Sequence, residues 1–227
     1  MTYFAPKSEE EYKEYLDNLL IEYQFACFSE KLGDGCYRLA NYHEAIKEDF
    51  ITAAKIYKKS CDEMKYGHGC YRYGTFAFLG RGMEKNVNES TEYYERSCRY
   101  GYGKGCHNAA IACDNGEGCE KNIVKAIEYF TKGCNLNVVQ SCLSLWSMYF
   151  RGRSDLPKNG QKAIEYTSKA CDLLSFEGCS NAATMYRRGD LIEKNLTLAK
   201  QYQDKAIAVK KEAETPGVVF GEQHKNV

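Results

Sequence analysis

An all-α solenoid of five αα-hairpins is predicted for this 227-residue chain by three features: paired cysteines, a segment that recurs with them, and glycine-rich punctuation between helical runs. Ten of the 12 cysteines fall into the pairs Cys27/Cys36, Cys61/Cys70, Cys98/Cys106, Cys134/Cys142 and Cys171/Cys179, each eight or nine positions apart. Their second members recur after 34, 36, 36 and 37 residues, a period suited to one helical hairpin per repeat.

Residues 1–35 are expected to form an N-terminal cap, with a leading helix over Ser8 to Ala26 that delivers Cys27. Five repeats follow over 36–69, 70–105, 106–141, 142–178 and 179–214. In each, helix A starts near the second cysteine. A glycine-rich turn ending in a step such as Glu84-Lys85-Asn86 or Glu193-Lys194-Asn195 then opens helix B. Four positions after the cysteine, helix A carries Ala40, Gly74, Ala110 or Ala183, small enough for Tyr57, Tyr94, Phe130 or Tyr202 of helix B to approach closely. Repeat four puts Trp146 in that slot, where it either wedges its hairpin or turns toward the concave surface as a contact residue. Repeat five has Ala206 and Ile207 where a closing cysteine would stand, and residues 215–227 are expected to be a flexible tail.

Two cysteines eight residues apart in one straight helix would lie about 12 Å apart along its axis, beyond the roughly 7 Å Cα limit for a disulfide. Bonding therefore requires a chain reversal, and the glycines at 33, 35, 67, 69, 101, 103, 105 and 178, with Asn135 and Asn137, are expected to supply it. Each bridge then ties the end of one helix B to the start of the next helix A, stabilising by about 2.5 kcal/mol in the loop-entropy picture. Structural zinc does not suit this frame: there is no CxxC, and His43, His68, His107 and His224 do not cluster with the pairs at metal-ligand spacing.

The 31 basic and 31 acidic residues cancel, so there is no basic excess for a nucleic-acid partner. No apolar run approaches the ~20 residues of a membrane span. Disulfides call for an oxidising compartment, whereas the opening MTYFAPKSEEEYKEYLDNLL reads as an acidic amphipathic helix without an apolar signal core. Together these point to the mitochondrial intermembrane space, reached by a disulfide-relay import machinery.

Cys113 and Cys119 stand outside the frame. They read as packed thiols, as a sixth disulfide, or as a redox-active or ligand-binding pair. His107, next to Cys106, could face the concave surface, while His68, between two glycines, is expected to be an exposed turn residue.

The repeats resemble Sel1-like repeats of the cysteine-rich subgroup. The stretch Cys27 to Cys36 followed by Tyr37-Arg38-Leu39, together with Cys61, Cys70-Tyr71 and Cys171-Asp172, is similar to a mitochondrial branch of that family that assembles respiratory complexes. The resemblance implies a protein that serves the assembly of complex IV, and also complex I, through assembly proteins or subunits; the absence of CxxC and of any other catalytic motif, with every pair in a structural place, favours a scaffold with no catalytic residue. The resemblance further implies, as an alternative, a haem-binding thiol-disulfide oxidoreductase acting on copper-delivery partners. There is no CxxCH for haem attachment, and the candidate axial ligands His43, His68, His107, Met64, Met148 and Met185 are scattered. A remote alternative, a hydrolase of the β-lactamase kind, lacks the SxxK motif.

Overall fold

A computed structural model describes residues 8–214, so the tail predicted over 215–227 lies outside the described residues. The described chain is helical: α1 (Glu9–Gln24), a π-helical turn (Phe25–Ser29), then α2 (Gly33–Ala45), α3 (Phe50–Asp62), α4 (Gly67–Leu79), α5 (Val87–Arg99), α6 (Gly103–Asn115) and α7 (Ile123–Asn135). These belong to a first compact unit that ends at Val138. A second unit starts at Val139 and holds α8 (Val139–Arg151), α9 (Gly160–Asp172), α10 (Phe176–Arg188) and α11 (Leu196–Glu214). Even-numbered helices from α2 onward are the A helices and odd-numbered ones the B helices of five hairpins, as the period predicts.

The repeated length of these helices has a local cause at each end. Asn86, Asn122, Asn159 and Asn195 each accept a hydrogen bond from the backbone N–H three residues on, at 2.9–3.1 Å, and so cap α5, α7, α9 and α11. In the first hairpin Asp49 does the same for Thr52 at 3.0 Å. Gly80, Gly116 and Gly189 stop α4, α6 and α10 in left-handed geometry. The asparagine at the end of each turn is thus the start signal of a B helix.

Four bridges are seen directly, Cys27–Cys36, Cys61–Cys70, Cys98–Cys106 and Cys171–Cys179, with Cα separations of 4.3–4.6 Å. Cys134 and Cys142 are disulfide-bonded as well. Each of the four joins the end of one hairpin's second helix, or the π turn for Cys27, to the first turn of the next A helix.

The role expected of the glycines needs correcting. Each A helix begins three residues before its frame cysteine, so Gly33, Gly35, Gly67, Gly69, Gly103, Gly105 and Gly178 lie inside the first turn and not in the reversal. The reversal is made by Lys31, Lys65, Gly101, Asn137 and Leu174, all at positive φ. The helical glycines serve close approach: a Cβ on Gly35 would sit 2.6 Å from Ala26 Cβ, on Gly69 2.4 Å from Ser60 Oγ, and on Gly105 2.3 Å from Ser97 Oγ. Ser60 Oγ donates to Gly33 O at 2.9 Å and Ser97 Oγ to Gly67 O at 2.7 Å, so each buried serine hydroxyl is satisfied by a carbonyl in the first turn of a helix further back along the chain.

Tyr57, Phe76 and Leu39 are fully buried in the first unit, and Leu145, Met185 and Thr167 in the second. The predicted pairing of a small helix A residue with a helix B aromatic is seen at Gly74, where an added Cβ would lie 3.0 Å from the Tyr94 ring.

Replacing Cys61 with Ser should leave Cys70 as a free thiol and lower unfolding stability by up to about 2.5 kcal/mol, whereas Cys119→Ser should change it little; calorimetry with thiol alkylation reads both. Gly105→Ala should cost about 1–3 kcal/mol through overpacking against Ser97. Gly101→Asn should lose less when both variants are unfolded by denaturant, because Gly101, at φ 83°, has nothing within 4 Å of its Cβ position and asparagine tolerates left-handed backbone.

Candidate partner-binding groove

Residues of α4, α5 and α6 surround an open cavity of about 320 Å³. Tyr71, Thr75, Phe78 and Leu79 line it from α4, Val87, Ser90, Thr91 and Tyr94 from α5, and Asn108, Ile111 and Ala112 from α6, with Glu117 at the following turn. The helical register decides which side chains meet here. Tyr71, Thr75 and Phe78 share one face of α4, and Val87, Ser90, Thr91 and Tyr94 share one face of α5. Phe78, Leu79 and Ile111 keep 38%, 61% and 38% of their surface in solvent, so the rim is apolar and open. Ser90 is fully buried at the wall, and its Oγ has no hydrogen-bond partner. A groove with this open rim suits a narrow apolar group.

One wall continues into a run of rings. Tyr94 lies 5.8 Å from Tyr71, Tyr71 5.2 Å from Tyr102, Tyr102 4.0 Å from His68, His68 5.7 Å from Tyr37, and Tyr37 5.9 Å from Tyr57. Tyr66 stacks on the other side of His68 at 5.0 Å. His68 is therefore not the exposed turn residue expected between glycines, because α4 starts at Gly67 and draws the imidazole into its first turn. Burial lowers its pKa, and Lys104 adds to the effect against an opposing contribution from Asp34. The ring is thus held neutral among its aromatic neighbours.

Beside this run lies a charged hub. The Tyr57 hydroxyl sits 2.5 Å from Asn41 Oδ1 and donates to Glu44 Oε2 at 2.7 Å. Glu44 also pairs with Arg72, and with Arg81 at 3.2 Å. Burial alone would raise the Glu44 carboxyl, but hydrogen bonds from Arg72 and Tyr57 and the charges of both arginines outweigh it and hold its pKa below the ordinary carboxylate value. Arg72 crosses from α4 to Glu44 on α2, so the hub fastens the second hairpin to the first.

The other residues singled out in the sequence are dispersed. His107 is half-buried with its ring 5.6 Å from Phe130, and burial depresses its pKa. Trp146, in the second unit, stacks on Phe150 at 5.5 Å and is partly buried, its Nε1 without a partner. Cys113 and Cys119 are reduced, their sulfurs 3.7 Å apart. Met148 and Met185 are buried, and His43 packs edge-on to Tyr42. None of the candidate axial ligands lines the groove, so these residues do not assemble around it as a haem pocket. Among the described residues no three His, Cys, Asp or Glu side chains converge as a metal-binding set.

The Sel1 repeat family matches residues 33–63, 67–102, 103–138, 143–173 and 177–208. Among curated proteins, the chain is 39% identical over 95 residues to the cytochrome c oxidase assembly factor 7 homolog of Drosophila melanogaster, covering 40% of this chain and 36% of that one. It is 38% identical over 96 residues to cytochrome c oxidase assembly factor 7A of Xenopus laevis, covering 42% of each. To the human protein of that name it is 32% identical over 93 residues, covering 40% of each. The match thus spans about two-fifths of these relatives. Among solved structures, a Sel1 repeat protein from Oxalobacter formigenes covers 88% of this chain and 82% of its own with a TM-score of 0.74 at 15% identity. A protective antigen of uropathogenic Escherichia coli with an SLR fold covers 82% of this chain and 40% of its own with a TM-score of 0.72 at 21% identity. These two likenesses concern the fold.

Glu44→Gln should reduce stability at neutral pH, and the gap to the unaltered protein should close in acid. The Glu44 carboxylate has a lowered folded-state pKa, so its contribution is present above the ordinary carboxylate value and vanishes as pH falls through the depressed one. Urea unfolding midpoints of both proteins across that range measure it. A gap that stays constant with pH would show that the hub does not act through this ionisation.

Proposed function

Since the chain belongs to the Sel1 repeat family, we propose that it is an assembly factor for cytochrome c oxidase, a disulfide-framed scaffold that holds an assembly protein or unassembled subunit in the mitochondrial intermembrane space. The oxidase assignment is supported by the name shared by the curated relatives. The compartment is supported by the chemistry of the frame: ten oxidised cysteines require surroundings that form and keep disulfides, and they make the chain a suitable client of a disulfide-relay import machinery.

One observation carries the scaffold reading. The groove between α4, α5 and α6 leaves Phe78, Leu79 and Ile111 open around the unpartnered Ser90 hydroxyl. On a fold built from nearest-neighbour repeats, such a groove receives a partner's apolar segment while the helices that carry it stay fixed by their bridges. The arrangement needs no reacting group. Binding follows from burial of the three rim side chains.

Removing the protein from its own organism should lower assembled cytochrome c oxidase several-fold on native gels and in oxygen consumption, with complex I measured alongside. The unaltered gene should restore both, and Ile111→Glu, which retains helical content and melting behaviour, should not. Normal oxidase levels without the protein would refute the assembly role. Full rescue by Ile111→Glu would remove the groove from it.

A further inference from the structure

Repeat three departs from its neighbours at two packed positions. Slots that hold Ala77 with Met83 in repeat two, and Tyr186 with Ile192 in repeat five, hold Cys113 and Cys119 here. The first slot lies on helix A and the second in the turn that follows it. They lie 3.7 Å apart, and both cysteines are reduced in a chain whose ten other cysteines are oxidised. A disulfide needs about 2.05 Å, so closure asks for a movement of only about 1.7 Å. The moving part is a short turn whose Gly116 and Gly118 sit at φ 78° and 74°.

We propose that Cys113 and Cys119 form a redox modification site, a dithiol that closes reversibly into a sixth disulfide by exchange with an external disulfide and thereby staples the turn between α6 and α7.

The two thiols have different tasks. Cys113 is 1% exposed, and burial with the neighbouring Cys119 pushes its thiol up to about 12, so it stays protonated and out of reach. Cys119 is half-buried in the turn and accessible from solvent. Its thiolate attacks one sulfur of the external disulfide and forms a mixed disulfide, and the displaced thiolate takes up a proton. Cys113 then gives up its proton and attacks the Cys119 sulfur, which releases the second external thiol. Two electrons and two protons pass from the protein dithiol to the external disulfide, and excess external thiol reverses the sequence.

Closure acts on the edge of the groove. The carbonyl of Glu117, a residue that lines the cavity, accepts a hydrogen bond from Thr91 Oγ1 at 3.0 Å. A Cβ on Gly118 would lie 2.4 Å from Val87 O and 2.5 Å from Thr91 Oγ1, so the turn already rests against α5. A covalent tie between Cys119 and α6 fixes this contact from the other side. The site stands whatever the groove binds.

The test is equilibration of the full chain in buffers of oxidised and reduced glutathione, acid quench, alkylation of free thiols, and peptide mass mapping. Cys113 and Cys119 should pass together from alkylated to linked as the buffer becomes oxidising and return in the reducing buffer, while the ten frame cysteines stay oxidised throughout. Cys113→Ser should accumulate glutathione on Cys119, whereas Cys119→Ser should leave Cys113 unmodified. Amide exchange over residues 114–122 should slow on closure. The proposal is overturned if the pair never links, if it reopens only together with the frame bridges, or if Cys113 takes up glutathione as readily in Cys119→Ser as Cys119 does in Cys113→Ser.

Discussion

Everything in the first unit depends on how closely the end of one hairpin lies against the start of the next. Cα separations of 4.3–4.6 Å at the observed bridges sit at the short end of what a disulfide spans. At that distance there is no room for a Cβ on the residue before the second cysteine, and Gly35, Gly69 and Gly105 fill the position against Ala26, Ser60 and Ser97. The bridge and the glycine are one device: the covalent bond holds the helices together, and the missing side chain lets them come that near. The second unit uses the same device at Cys171–Cys179, where Gly178 lies against Ala170.

Once the hairpins are that close, their polar side chains settle the angle between neighbours. A chain with no net charge still concentrates opposite charges at these contacts. Glu44 of α2 receives Arg72 and Arg81 from the second hairpin. Asp62 of α3 receives Arg96 at 2.8 Å and the Tyr93 hydroxyl at 2.9 Å from α5. Glu89 of α5 receives Tyr73 from α4 at 2.8 Å and Lys58 from α3 at 3.2 Å. Glu44 and Glu89 each collect donors from more than one element, whereas Asp62 takes both of its donors from α5. Partly buried pairs of this kind contribute orientation more surely than net stability, because desolvation offsets much of their attraction.

How much of this could be read beforehand varied with the kind of signal. The cysteine frame was legible because a disulfide has a fixed reach, and a spacing of eight or nine satisfies it only across a reversal. The reversal was placed correctly at two joints, where Gly101 and Asn137 take the positive φ, and misplaced at the other three. Glycine is the usual sign of a turn, but here it marks close packing inside the first helical turn, while Lys31, Lys65 and Leu174, which carry no turn signal, take the positive φ. His68 was misread for the same reason, since a glycine on each side suggested a loop. The π-helical turn that presents Cys27 has no sequence mark at all. The groove was invisible because its rim depends on Phe78, whose slot is aromatic again only at Phe150, and on Leu79 and Ile111, which do not recur with the repeat. Trp146 was legible as a break in the pattern, but its stacking on Phe150 follows from helical register that one exceptional residue does not reveal.

Solvent access sets Cys119 apart from the frame cysteines. Exchange begins with in-line attack of a thiolate on a sulfur, so a bridge enclosed by helix backbones and glycine contacts is protected by geometry as well as by its free energy. The frame cysteines are between 0% and 3% exposed, and none offers such an approach while its hairpins remain packed. Cys119 lies in a turn outside that packing, within reach of both solvent and Cys113. The protection that makes the frame durable also prevents it from responding to redox conditions, whereas the one pair free to respond carries none of the inter-repeat load. A repeat protein built on disulfides can therefore add a redox-sensitive site without weakening its scaffold, provided the extra thiols occupy a turn and leave the joints alone.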